Sequence, residues 1–132
     1  MRNEKGVILV EFAISSFVIM LFIFGFLCLG MWGLGSVYVK SAANEAALAY
    51  ARTLEHDDAV IQANKVMEKG GQIFLTDRLD VSTQVSTPFV RVTVTGYPKI
   101  TKLFTFINPS ITFVAESVME DYYRNPHAYE RR

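Results

Sequence analysis

Residues 7–35, VILVEFAISSFVIMLFIFGFLCLGMWGLG, form one nearly unbroken apolar run in which only Glu11, Ser15 and Ser16 are neither apolar nor glycine. As a helix at about 1.5 Å per residue the run is about 44 Å long, against a bilayer core about 30 Å thick. That length predicts a single membrane-spanning helix that projects beyond the bilayer. Residues 36–55, SVYVKSAANEAALAYARTLE, are rich in alanine and contain no glycine or proline, so the helix is expected to continue to about Leu54. Val37, Ala42, Ala46, Ala49 and residues 51–54 set out a narrow stripe of small apolar side chains along this second half, a face on which another element can pack closely.

Further on, the period changes. In HDDAVIQANKVMEKGG, residues 56–71, Val60, Ala63, Val66 and Met67 recur at three and four. Asp57 or Asp58 is placed to cap a short amphipathic helix, Lys65 and Lys69 fall near its end, and Gly70-Gly71 stop it. Strand patterns follow. Val81, Thr83 and Val85 alternate in residues 80–86, and Val90, Val92 and Val94 alternate against Arg91, Thr93 and Thr95 between Pro88 and Pro98. Such alternation predicts half-buried antiparallel strands. Residues 99–109, KITKLFTFINP, fit an edge strand, a short helix or a covering loop equally well. Residues 110–123 alternate Ile111, Phe113, Ala115, Ser117 and Met119 against Thr112, Glu116 and Glu120, and are expected to form the last strand. The tail RNPHAYERR, residues 124–132, is charged and contains proline, as mobile termini do. The fold class is therefore α+β: a long membrane-spanning helix continuing into a small domain with a short helix and a three- to four-stranded antiparallel sheet. With fewer than a hundred residues outside the membrane, its core is modest and uses the long helix as one wall.

Charge and chemistry change this picture little. Lysine plus arginine and aspartate plus glutamate number 13 each and are interspersed, so no basic strip marks a nucleic-acid partner. The leading MRNEKG has Arg2, Lys5 and the amine against Glu4, a positive bias that leaves this end in the cytoplasm and sends the C-terminal bulk out. A secretory signal would have an apolar region of about 7–15 residues, shorter than this one, and the small residues at 41–46, SAANEA, lie too far beyond the run to serve as its cleavage site. Cys28 has no partner cysteine and reads as a lipid-facing or packing thiol; Leu27 before it excludes a lipoprotein site. His56 and His127 lack metal-ligand spacing, so no metal or cofactor is expected. Gly25, Gly30, Gly33 and Gly35 make no GxxxG pair. Tyr122, Tyr123 and Tyr129 are expected to pack at the sheet edge rather than form an adhesive patch. With no serine–histidine–acid set, P-loop or redox motif, an enzyme is not expected.

Glu11 is the anomaly. A charge at mid-bilayer costs about 2.5–3.5 kcal/mol on insertion scales, and less near the interface, where Glu11 lies. It stands four residues after Val7, in a first turn where the helix dipole favours an anion. A carboxylate there attracts a cationic partner as helices bundle. The arrangement of a short basic leader, Gly6, four apolar residues, Glu11 and Phe12 resembles the processing site of type IV pilin-like proteins. The resemblance implies that a membrane peptidase cuts after Gly6, that Val7 becomes the new N-terminus, and that Glu11, now fifth, pairs with an amine during assembly. Glycine at the cut lets the peptidase approach the backbone closely.

VILVEFAISSF, SVYVKSAANEAALAYAR, VRVTVTGYP and ITFVAESVM together resemble the TadE-like pseudopilins of the tight-adherence (type IVc, Flp-type) pilus, and a TadF-like sibling fits the same signals. The resemblance implies a minor pilus subunit of the bacterial inner membrane that supports adhesion or biofilm formation. Its implied partners are a prepilin peptidase, a TadF-like subunit, the major Flp-type pilin and an inner-membrane assembly platform. On this reading residues 1–6 are a cytoplasmic leader, 7–35 the transmembrane helix, 36–123 an extracytoplasmic pilin-like domain and 124–132 a mobile tail. The alternative is an unprocessed single-pass scaffold or binding protein, in which Glu11 marks the cytoplasmic membrane edge and Gly6 a helix start.

Overall fold

The computed structural model describes residues 2–99, 110–125 and 127. The chain divides into two compact units, Met1–Met31 and Trp32–Arg132. Helix α1 (Arg2–Thr53) supplies all the described residues of the first unit and the opening residues of the second. In the first unit its apolar side chains are exposed on every side, Phe12, Phe17, Met20, Leu21 and Phe26 among them. A helix apolar all round has no face that suits water. Among the described residues it is the one helix long and apolar enough to cross a membrane.

In the second unit α1 becomes one-sided. Gly35, Val39, Ala42, Ala43, Ala46, Ala47, Tyr50 and Ala51 are buried, at steps of three and four. The helix does continue to Thr53, but its packing face matches the expected stripe only in part: Ala42, Ala46 and Ala51 lie on it. Val37 is 64% exposed and Leu54 43% exposed. Val37 stands two residues from the buried Val39, and two helical residues are about 200° apart, so the two cannot share a face.

Helix α2 (His56–Val66) turns Ala59, Ala63 and Val66 inward. Its N-cap is Glu55, without a side-chain cap hydrogen bond, and not Asp57 or Asp58; these two lie in the first turn, where the helix dipole favours acidic groups without capping. A five-residue π-type turn, Met67–Gly71, leads into the single turn α3 (Gln72–Phe74). Gly70 interrupts the helix as expected, with φ +140°, but it makes a kink rather than a stop. A Cβ there would lie 2.6 Å from the Tyr38 hydroxyl oxygen, so both backbone angle and space demand glycine.

Strands β1 (Leu75–Ser86), β2 (Phe89–Pro98) and β3 (Ile111–Val118) form an antiparallel sheet in the order β1-β2-β3. The register sets Val81 opposite Val94, Thr83 opposite Val92, and Ala115 opposite Val92 from the other side. β1 starts five residues earlier than the alternation suggested, with an irregularity between Leu75 and Leu79. β3 is shorter than expected, because Glu120–Arg124 forms a helical turn, α4. Glu120 and Asp121 open that turn and Arg124 closes it, an order the helix dipole favours. Residues 100–109, the ambiguous segment, and most of the tail lie outside the described residues.

One core joins these elements. Val90, Val92 and Val94 are fully buried on the inner sheet face, with Leu75, Ala115 and Met119, against the alanine face of α1 and Ala59, Ala63, Val66 and Met67. The helix comes so close that a Cβ at Gly96 would lie 2.7 Å from Val39 Cγ2. On the outer face Arg91 donates through Nε to Glu116 Oε1 at 2.7 Å, and the Thr95 and Thr112 hydroxyls bond at 3.0 Å. The layout is the α+β arrangement expected: a long apolar N-terminal helix, a short helix and a three-stranded antiparallel sheet.

Candidate processing and assembly site

Gly6, Val7, Val10, Glu11, Ile14 and Ser15 line one shallow groove on the first unit's stretch of α1, with Asn3 at its head. The spacing of three and four puts them on one side of the helix. Phe12, next to Glu11, points elsewhere and is 70% exposed. The structure thus brings three of the four sequence-selected residues, Gly6, Val7 and Glu11, to one face and leaves Phe12 off it. No described residue forms a hydrogen bond or ion pair with Glu11.

α1 begins at Arg2, so the Gly6–Val7 peptide lies inside a helix. A protease needs an extended strand of substrate, and a helical peptide must unwind to supply one. Glycine weakens the helix at that point by about 1 kcal/mol relative to alanine. Nothing lies within 4 Å of where a Gly6 Cβ would be. The glycine is therefore not required by packing within this chain.

Elsewhere the polar contacts are structural. His56 Nδ1 lies 3.0 Å from Thr83 Oγ1 and ties the start of α2 to β1. Tyr97 donates its hydroxyl to Asp80 Oδ2 at 2.6 Å, and the Arg78 guanidinium lies 5.4 Å from the Tyr97 ring centre. The Tyr97 bond, helped by Arg78, holds the Asp80 carboxyl below its usual range, and the same bond raises the Tyr97 phenol. These partners are 27 and 17 residues apart in the chain, and no local pattern announces them. Tyr122 packs partly buried on the core while Tyr123 is 76% exposed; Tyr129 lies outside the described residues. Among the described residues no three histidine, cysteine or acidic side chains are placed to hold a metal ion.

Residues 6–48 match the family described as TadE-like protein. The match opens on Gly6, contains Val7, Glu11 and Phe12, and runs along the packing face of α1 as far as Leu48. No curated protein and no solved structure matches the chain. The TadE-like family is a structural component of the tight-adherence pilus and not a known enzyme family. The single long apolar helix fits a single-pass membrane anchor. From Gly6 to Leu48, across the groove and most of the alanine face, the chain is similar to TadE-like protein.

Proposed function

We propose that the chain is a prepilin-like minor subunit, cleaved after Gly6 by a prepilin peptidase and required for assembly of a tight-adherence pilus that supports adhesion or biofilm formation. The observation that carries this reading is the shared face of Gly6, Val7 and Glu11 at the head of the family-matched segment. Hydrolysis adds one water across the Gly6–Val7 peptide bond. It leaves a carboxylate on the released peptide 1–6 and an ammonium group on Val7. That ammonium group and the Glu11 carboxylate then stand one turn apart on the same side of the helix, within reach of the same neighbouring subunit. Opposite charges at the apolar boundary attract far more strongly than in water, so pairing between subunits selects a stagger as helices bundle. Phe12, off this face, is free to pack on the next helix.

In this reading residues 1–6 are the cytoplasmic leader, 7–35 the span, 36–123 the domain outside the cytoplasm and 124–132 the tail. The partners are the peptidase, a TadF-like subunit, the major Flp-type pilin and the inner-membrane assembly platform. The test is the N-terminal sequence of the protein isolated from membranes of cells with and without an active peptidase. Val7 as first residue only in the former is the expected result, and Gly6→Ile should block the cut. Recovery of Met1 in both sinks the proposal. The second reading, an unprocessed single-pass scaffold, draws on the helical state of the Gly6–Val7 peptide, and the same experiment separates the two.

A further inference from the structure

Within the first unit, Val7, Glu11 and Ser15 follow one another at steps of four and line the same groove, with Val10 and Ile14 between them. Each step of four is about 6 Å along the helix. The proposed function uses the levels of Val7 and Glu11 and gives the level of Ser15 no part. A hydroxyl inside a helix can return its proton to the carbonyl four residues earlier. Ser36 does so to the Trp32 carbonyl at 3.0 Å, and Thr53 to the Ala49 carbonyl at 3.2 Å. Ser15 does not, and among the described residues its hydroxyl has no hydrogen-bond partner. A hydroxyl left unpaired in hydrocarbon is costly, and in a membrane the partner at hand is another helix. Ser16 also lacks a partner, but it does not line the groove. Only Ser15 puts its hydroxyl on the face that carries Glu11.

After the proposed cut, this face reads ammonium, carboxylate, hydroxyl at equal steps, and such a ladder is complementary to itself. Two parallel copies with their grooves facing and no offset would set carboxylate against carboxylate and ammonium against ammonium, which repel strongly where the dielectric is low. An offset of four residues, about 6 Å, removes both conflicts at once. The Val7 ammonium of the second copy then stands level with Glu11 of the first, and the second copy's Glu11 stands level with Ser15. An offset of eight residues would bring the ammonium to Ser15 and forfeit the ion pair. The charge pattern therefore selects both an occupant, a second copy of this chain, and a register.

We infer that Ser15 sets the register between two copies of this chain: its hydroxyl donates to the Glu11 carboxylate of a second copy offset by four residues, whose Val7 ammonium pairs with Glu11 of the first. The inference rests on the proposed cleavage after Gly6, which creates that ammonium. Each added copy leaves the same three groups in the same order for the next, so the contact does not close on itself and suits a growing assembly.

The test uses the full chain with Cys28→Ala in two differently tagged forms, Val10→Cys and Ile14→Cys, both substituted within the groove. They are expressed together in cells with and without an active prepilin peptidase and oxidised in the membrane with copper phenanthroline. The N-terminus of each preparation is sequenced. In peptidase-positive cells the disulfide between residues 10 and 14 should exceed the 10–10 and 14–14 disulfides several-fold, and without the peptidase that preference should vanish. Ser15→Ala in both forms should cut the 10–14 yield several-fold, Ser15→Thr should restore it, and Ser16→Ala should match the parent. With Val7 as first residue, equal yields of the three disulfides, or a Ser15→Ala yield as high as that of Ser16→Ala, overturn the inference and leave the cleavage standing. Crosslinks made only to a different subunit do the same. A 10–14 preference in the uncleaved chain overturns the part given to the ammonium group, and with it the register. Met1 as first residue in both strains removes the proposed function itself.

Discussion

Tyr97 and Asp80, on neighbouring strands, share a hydrogen bond of 2.6 Å on the outer face of the sheet, and Arg78 stands beside both. The bond favours the ionised carboxylate and the neutral phenol, so Asp80 titrates below its usual range and Tyr97 above its own. A depressed carboxylate contributes stability above its unfolded pKa, and that contribution is lost as pH falls through the folded value. A raised phenol contributes below its unfolded pKa of about 10 and loses the contribution as pH rises through its folded value. Tyr97→Phe should therefore be less stable than the parent at neutral pH, with the difference closing at both extremes. Asp80 should return towards the ordinary carboxylate range in the variant. Denaturation of the full chain in micelles across pH, with carboxyl titration by NMR, checks both. An unchanged Asp80 titration in Tyr97→Phe would refute the coupling.

Gly96 admits α1 to the sheet. A methyl there would lie 2.7 Å from Val39 Cγ2, and both residues are buried. Gly96→Ala should destabilise by roughly 1–3 kcal/mol, the usual scale of overpacking. Val39→Ala should also destabilise alone, but the double variant should recover part of the loss. The coupling measured in that cycle is the check. Strict additivity would show that the contact is not what excludes a side chain at residue 96.

Leu54 ends α1 with φ +55°, a left-handed backbone that leucine rarely adopts, and its amide donates to the Tyr50 carbonyl at 2.8 Å. Glycine is the usual residue in this position. Leu54→Gly and Leu54→Ala both lose the side chain's partial burial, but only glycine relieves the backbone. Leu54→Gly should be the more stable of the two by about 1 kcal/mol, against the normal order for a helix. Thermal unfolding of the pair decides it. An alanine variant equal or superior would mean that the angle carries no strain.

Glu11→Ala tests the assembly role. Removing a charge from the membrane edge leaves insertion intact or slightly better, and cleavage should largely survive because Gly6 is untouched. Association with other pilin-like subunits should fail, with Glu11→Asp intermediate because its side chain is shorter. Membrane level, cleaved fraction and crosslinking are measured for each variant. Parental crosslinking and pili in Glu11→Ala would reduce Glu11 to a marker of the membrane edge.

The elements most legible in the sequence were those with a strict period and one wet face. β2 reads inward at Val90, Val92 and Val94 and outward at Arg91 and Thr93, as the alternation implies. The packing face of α1 was harder to choose, because alanine lies on several sides of residues 42–51. What decides between Val37 and Val39 is the sheet that packs there, and that is not local information. The end of β3 was misjudged because Ile111 to Met119 keeps its alternation to the last residue, while α4 is announced only by acidic residues and a closing arginine. At the candidate site, the Gly6 to Glu11 spacing was visible in the chain. The helical state of residues 2–6 was not, since a short charged leader holding a glycine favours no one conformation.

The alanine face of α1 has a consequence for how this domain tolerates change. Alanine has no rotamers to lose on folding, so the helix docks on the valines of the sheet with little ordering cost from its own side chains. The same economy leaves no slack. A larger residue on that face has no bent or alternative conformer in which to hide, and must push two backbones apart. Drift at these positions should be limited by girth more than by polarity, so that serine is tolerated where leucine is not.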